Sequence, residues 1–184
     1  MHALKNRKTA VLIAVVAAIL ATLFGVDRSL TRLDWEIEAM FYDGVVLESE
    51  GYTQPGIALQ LDKHTDAALR LATILVNYPE LQSSAEKVME SRRRLLASES
   101  IGDKSLAFWM MSQDVNNLAQ AASDVDLTQR DMEAVLQYSA TISGAEAFIR
   151  GAAYNRTVSD LWNEQSYITR IISKLLKTRE PDTF

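Results

Sequence analysis

The chain predicts an all-α protein: an N-terminal transmembrane helix followed by an elongated antiparallel helical bundle. Three observations carry this. An uncharged stretch of 18 residues runs from Thr9 to Val26, and a helix of that length crosses the hydrocarbon core of a bilayer. Beyond it, apolar residues recur in alternating steps of four and three along long runs, the spacing of a helix face packed along its neighbours. Sustained alternation of apolar and polar residues, the mark of a half-buried strand, occurs nowhere.

Composition narrows the function classes. The 184 residues include 7 Gly, 3 Pro and no Cys. Zero cysteine excludes disulfides, thiolate metal sites and thiol nucleophiles, and low Gly and Pro argue against a disordered chain. A net charge of −5 argues against a nucleic-acid partner, whose phosphates need a basic surface.

Residues 1–8 form a short basic N-terminus with Lys5, Arg7 and Lys8, and residues 9–26 form the anchor, whose partner is membrane lipid. A cleaved signal peptide would need a shorter apolar stretch and small residues before the cut. Leu23-Phe24-Gly25-Val26 is a poor match, so an uncleaved anchor is expected. Basic residues resist translocation; those before the span slightly outweigh Arg28 and Arg32 after it. This places the N-terminus in the cytoplasm and the body outside the inner membrane. All 24 acidic residues and 16 of the 19 Lys/Arg lie beyond residue 26, giving the body a formal charge of −8, unsuited to lying flat on anionic lipid. Ala10, Ala14, Ala18 and Thr22 make a ridge of small side chains that would let a second copy approach. The plainer reading is that alanine is common in spanning helices.

Residues 27–56 read as a juxtamembrane helix and loop. Leu30, Leu33, Ile37, Met40 and Phe41 share one face, Gly44 ends the helix, and residues 44–56, with Gly51, Pro55 and Gly56, form the clearest loop. Residues 57–178 form the bundle. Its best seam is Ile57, Leu61, His64, Ala68, Leu71, Leu75 and Tyr78, stopped by Pro79. Asp66 and Arg70 stand four apart on the exposed side. A helix from Leu81 to about Ser98 turns Ala85, Val88, Leu95 and Leu96 inward, and Ile101-Gly102-Asp103 reads as a turn. The next helix, Ser105 to Ala122, carries Ala107, Met110, Met111, Val115 and Leu118. After a polar connection at residues 123–126, Thr128 stands three before Asp131, a capping spacing. No proline interrupts Gln129 to Lys177. Gly144 and Gly151 are the weak points, and Tyr154, Val158, Leu161, Gln165, Ile168, Ile172 and Leu175 repeat the seam. A single helix of that length would outrun a small domain, so the alternatives are one continuous helix and a kink or second helix starting near Ser159. Residues 179–184 are a tail.

Candidate chemistry is sparse. His64 is the one histidine besides His2 and sits on a seam, so it reads as a packed, hydrogen-bonded core residue rather than a base or ligand. Di-metal bundles need Glu-x-x-His, and Leu61 occupies the position three before His64. Asp124-Val125-Asp126 opens like a calcium loop, but Gln129 and Val135 stand where Gly and a carboxylate are required. Phosphate loops, Gly-x-Ser-x-Gly and His-Glu-x-x-His are absent. Arg92, Arg93 and Arg94 splay round a helix, with Arg92 along the seam. Glu146 lies near the apolar face of Ile142, Ala145 and Ile149 with Arg150 four on, a half-buried ion pair by structure or a proton-handling carboxylate by function. Trp35, Trp109 and Trp162 read as core or interface anchors. The expectation is therefore no catalytic residue, no metal site and no cofactor.

Gly144-Ala145-Glu146, Ile149 and Tyr154-Asn155-x-x-Val158, within residues 132–163, resemble the C-terminal signature of LemA-family proteins. Gln60-Leu61 to Tyr78 resembles, more loosely, the helix that opens that family's bundle. Two departures stand out: Trp162-Asn163 follows the first aromatic-Asn pair by eight rather than seven positions, and Arg70-Leu71-Ala72 stands near where the family has Pro-Asn-Leu. The resemblance implies a membrane anchor, an antiparallel bundle and no established active site. It also implies a small N-terminus outside the cell, opposite to the charge count. Unidentified protein partners are the expected ligands of a scaffold or interaction module. An extracytoplasmic sensory domain binding a small ligand near His64, Arg70 or Glu146 is the alternative.

Overall fold

The computed structural model describes residues 7–47, 51–165 and 183–184, which form six helices and two short strands. Expectations for Ile168, Ile172, Leu175 and Lys5 lie outside the described residues. The fold is all-α, with an apolar N-terminal helix leading into a helical bundle.

The first helix, α1 (Arg7–Asp43), is continuous from the apolar stretch into the body. Its outer part is exposed on every side, with Leu12, Ile19 and Phe24 all in the open. Further along, Val26, Leu33, Ile37 and Phe41 are buried on one side, at the three-to-four spacing of a single helix face. Trp35 is 72% exposed, so of the two roles expected for it, core or interface anchor, the core is excluded. It lies two residues from Leu33 and from Ile37, on the far side of the helix from both. Gly44 ends α1 at a positive φ of 104°, the left-handed conformation that glycine adopts without steric cost.

The expected loop after Gly44 contains a small antiparallel hairpin, β1 (Val45–Leu47) and β2 (Tyr52–Gln54), with Val46 opposite Thr53. Strands of three residues are too short to show an alternation of apolar and polar residues. Gly56 follows, where a Cβ would collide with the carbonyl oxygens of Phe41 and Tyr42. The start of α2 thus crosses the end of α1 at backbone contact.

The helix α2 (Ile57–Leu75) is the centre of the bundle, packed against α5 and α3, with α3 and α4 forming a further close pair. Every expected seam residue from Ile57 to Leu75 is buried, and Tyr78 is half-buried. Short turns join α3 (Gln82–Ala97), α4 (Ile101–Ala122) and α5 (Gln129–Gly151), so successive helices run antiparallel. Cross-helix bonds confirm the direction: Tyr78 of the α2–α3 turn meets Asp131 at the start of α5, while His64 on α2 meets Glu146 further along α5.

Two of the inward assignments, Leu96 and Met110, are corrected, and Phe108 joins the core. Leu96 and Met110 are exposed, while Leu95, Phe108 and Met111 are buried. Neighbours in a helix point about 100° apart, so where a helix packs on one side only, as α3 and α4 do here, Leu95 and Met111 face the core while their neighbours Leu96 and Met110 do not. Ile101-Gly102-Asp103 is the first turn of α4, not a free turn. Ser100 caps it by accepting the Asp103 N–H at 3.0 Å, and Thr128 caps α5 through the Asp131 N–H at 3.2 Å. The same Ser/Thr-x-x-Asp spacing serves both helix starts.

The break in the last long segment falls at Ala152, between α5 and α6 (Ala153–Glu164), rather than at Ser159. Gly151 weakens the helix there. The Ala153 N–H, left without a helical acceptor, donates at 2.7 Å to the Gln54 Oε1 of the hairpin. Tyr154 and Val158 on α6 then bury against the common core.

Candidate functional site

The polar cluster inside the bundle centres on His64. Its place on the α2 seam points the imidazole inward, where it is 0% exposed. The ring packs edge-on against Phe108 of α4, with centroids 4.8 Å apart. Nε2 lies 3.2 Å from Oε1 of Glu146 on α5 and 3.3 Å from Oγ of Ser112 on α4. Three helices therefore meet at one nitrogen. Nδ1 is buried without a partner.

Burial lowers the His64 pKa from its ordinary 6.5, and its bond with the Glu146 carboxylate opposes that shift only in part. The ring is neutral near pH 7 on this account. Its one proton belongs on Nε2, where Glu146 supplies an acceptor, leaving the bare lone pair on Nδ1.

From Glu146 the cluster runs outward. Its second oxygen is 3.9 Å from Arg150 one turn on, and the Glu146 side chain is 13% exposed against 64% for Arg150. The Arg150 guanidinium covers the Trp109 ring at 4.8 Å from its centroid, a cation–π contact that joins α5 to α4. The expected Glu146–Arg150 pair is present. The His64–Glu146 bond was not anticipated, because no local spacing links two residues of different helices. Once α2 and α5 are known to be antiparallel with Tyr78 beside Asp131, stepping back along α2 and forward along α5 brings His64 opposite Glu146.

The geometry differs from that of an activated nucleophile. A serine–histidine–acid triad uses both ring nitrogens, one facing the hydroxyl and the other the carboxylate. Here Ser112 and Glu146 share Nε2, which holds the proton and cannot accept another. Ser112 is 3% exposed, so a substrate has no access to its hydroxyl. Among the described residues, no group of three or more His, Asp or Glu could hold a metal ion. The cluster is arranged as a polar lock between three helices.

The other expected residues lie elsewhere. Arg70 is exposed, and Asp66 faces Arg92 of α3 at 3.7 Å rather than Arg70. Arg92 lies along the α2–α3 seam, its side chain 22% exposed, while Arg93 and Arg94 reach Glu90 on the surface. Trp109 and Trp162 are half-buried against the core. Two further polar bonds, unforeseen from spacing, tie the helices: Ser91 of α3 donates to the Asp114 carboxylate of α4, and the Tyr78 hydroxyl donates to Asp131 at 2.6 Å. Clefts open away from His64, one of about 320 Å³ lined by Asp34, Glu38, Tyr42 and Glu99, another of about 370 Å³ lined by Leu127, Met132 and Leu136.

Comparison with family models, curated proteins and solved structures finds no match to this chain.

Proposed function

We propose that the chain is a membrane-anchored, LemA-like helical-bundle protein that acts as a protein-interaction or scaffold module at the cell envelope. Residues 9–26 hold it in the inner membrane, with the N-terminus in the cytoplasm and the body outside. The observation that carries this reading is the continuity of α1. Among the described residues, one helix is long and apolar enough to cross a membrane, and it continues without a break until Leu33, Ile37 and Phe41 enter the bundle core. A helix of 37 residues measures roughly 55 Å, about twice what the span itself needs. The anchor is thereby built into the body rather than joined to it by a linker.

Two features support the interaction role. Leu96, Leu106 and Met110 on α3 and α4, and Met132 and Leu136 on α5, remain exposed, apolar surface that a partner helix can cover. The internal polar cluster is spent on joining helices. For the LemA resemblance, the support is that its positions are structural: Glu146 bonds His64, and Tyr154 and Val158 are buried.

The test exploits the absence of native cysteine. Single cysteines placed at Ala3 and at Leu136 in intact cells are challenged with a membrane-impermeant thiol reagent. Labelling at 136 alone is expected; labelling at 3 alone reverses the orientation, and recovery of the chain in the soluble fraction overturns the anchor. Cross-linking in native membranes, with and without residues 1–28, then tests the interaction role. Capture of the same proteins by an unfolded body defeats it.

A further inference from the structure

Asn155, next to the buried Tyr154 on α6, makes a two-point pairing with the backbone of Phe184. The Phe184 N–H donates to Asn155 Oδ1 at 2.6 Å, and Asn155 Nδ2 donates back to the main-chain oxygen of Phe184. A residue in an antiparallel sheet exchanges the same two bonds with the residue opposite. Here a side-chain amide supplies them, so the polar recognition reads extended backbone and is indifferent to the side chain attached.

Selectivity comes from the ring. Phe184 lies against Phe41 of α1, with centroids 5.7 Å apart, and against Phe108 of α4, at 5.4 Å. It is 9% exposed there. The receiving surface is held in place by other contacts. Phe41 meets Tyr154 edge-on at 5.9 Å, and Phe108 rests on His64 and Trp109. The aromatic floor therefore owes its position to α1, α2, α4 and α6, not to residue 184. A rigid floor combined with a sequence-blind backbone clamp is the construction of a peptide site.

We propose that Asn155, Phe41 and Phe108 form a pocket for an aromatic residue carried on extended polypeptide, and that Phe184 is its occupant in cis. A partner protein presenting such a segment enters by displacing Phe184. This inference rests on the interaction reading above and names the partner chemistry. An occupant on the same chain acts at high effective concentration, so it excludes weak, dilute competitors and admits only partners that make additional contacts.

The test uses the full chain in detergent and the peptide acetyl-Pro-Asp-Thr-Phe-amide, which reproduces residues 181–184. By calorimetry, Phe184→Ala is expected to bind the peptide saturably, with the unaltered chain weaker by on the order of 100-fold. The peptide with Ala in place of Phe should not bind, nor should the Phe184→Ala chain also carrying Asn155→Ala. Absent binding by a folded Phe184→Ala chain, or equal binding of both peptides, overturns the proposal. Should Phe184→Ala lose its helix by circular dichroism, fluorine NMR of the otherwise unaltered chain with 4-fluorophenylalanine at position 184 decides. Excess peptide is expected to move that resonance to its solvent-exposed position, and a resonance unmoved by peptide overturns the pocket. Failure here leaves the scaffold reading to stand or fall on the thiol-labelling and cross-linking results.

Discussion

Replacing Glu146 by alanine tests the polar lock most directly. The change strips the Nε2–H of His64, whose ring is 0% exposed, of its 3.2 Å acceptor, leaving only Ser112 Oγ at 3.3 Å among the described residues. A buried donor left without a full partner costs about 1–3 kcal/mol. The second contact of Glu146, with Arg150, is long at 3.9 Å and its arginine is 64% exposed. Such a pair is worth about 0–1 kcal/mol, so the histidine bond dominates. His64→Leu has a smaller effect: it removes the buried imidazole together with its unpartnered Nδ1 and leaves Glu146 in reach of solvent and Arg150. Its expected change is within about 1 kcal/mol of zero. In the His64→Leu background, Glu146→Ala should then cost less than in the unaltered chain, with a coupling of about 1–2 kcal/mol. Urea titration of the detergent-solubilised chain, followed by tryptophan fluorescence and far-UV circular dichroism, measures all four corners of the cycle. Equal costs for Glu146→Ala in both backgrounds refute the lock.

Four further predictions concern the same fold. Leu71, 0% exposed at the middle of the α2 seam, should cost about 2–5 kcal/mol on replacement by alanine, read as a shift in the urea midpoint. Stability should fall as pH drops below 6.5, because unfolded His64 binds a proton there while burial lowers its folded pKa. The loss is complete once pH has passed the folded pKa, and it should be absent in His64→Leu, where Glu146 and Arg150, the charged neighbours of the ring, are retained. At lower pH, Asp131 acts in the same direction: bonds from Tyr78 and Thr128 hold its carboxyl below the ordinary value of 3.8. The stability it contributes is present above that value and lost as pH falls through the folded pKa, so Asp131→Asn should flatten the acid limb of the pH–stability curve. Gly56→Ala should destabilise strongly, since its Cβ would meet the backbone of Phe41 and Tyr42, and thermal melting of the body checks it.

The amino-acid sequence by itself determined what depends on local spacing. The apolar span, the α2 seam from Ile57 to Leu75, the Gly44 terminus and the Thr128 cap all follow from residues within a turn or two of each other, because helix periodicity and capping act over that distance. Where adjacent apolar residues compete, as at Leu95 and Leu96 or Met110 and Met111, the pattern is ambiguous and only the neighbouring helix selects one. The break at Ala152 was misplaced for a similar reason: the acceptor that stabilises the new helix start is Gln54, far away in the chain. Tertiary structure alone decided the His64–Ser112–Glu146 cluster and the docking of Phe184 on Phe41, Phe108 and Asn155. Those contacts join residues whose separation along the chain carries no periodic signal, and they exist only once packing has set which helices are neighbours and in which direction they run.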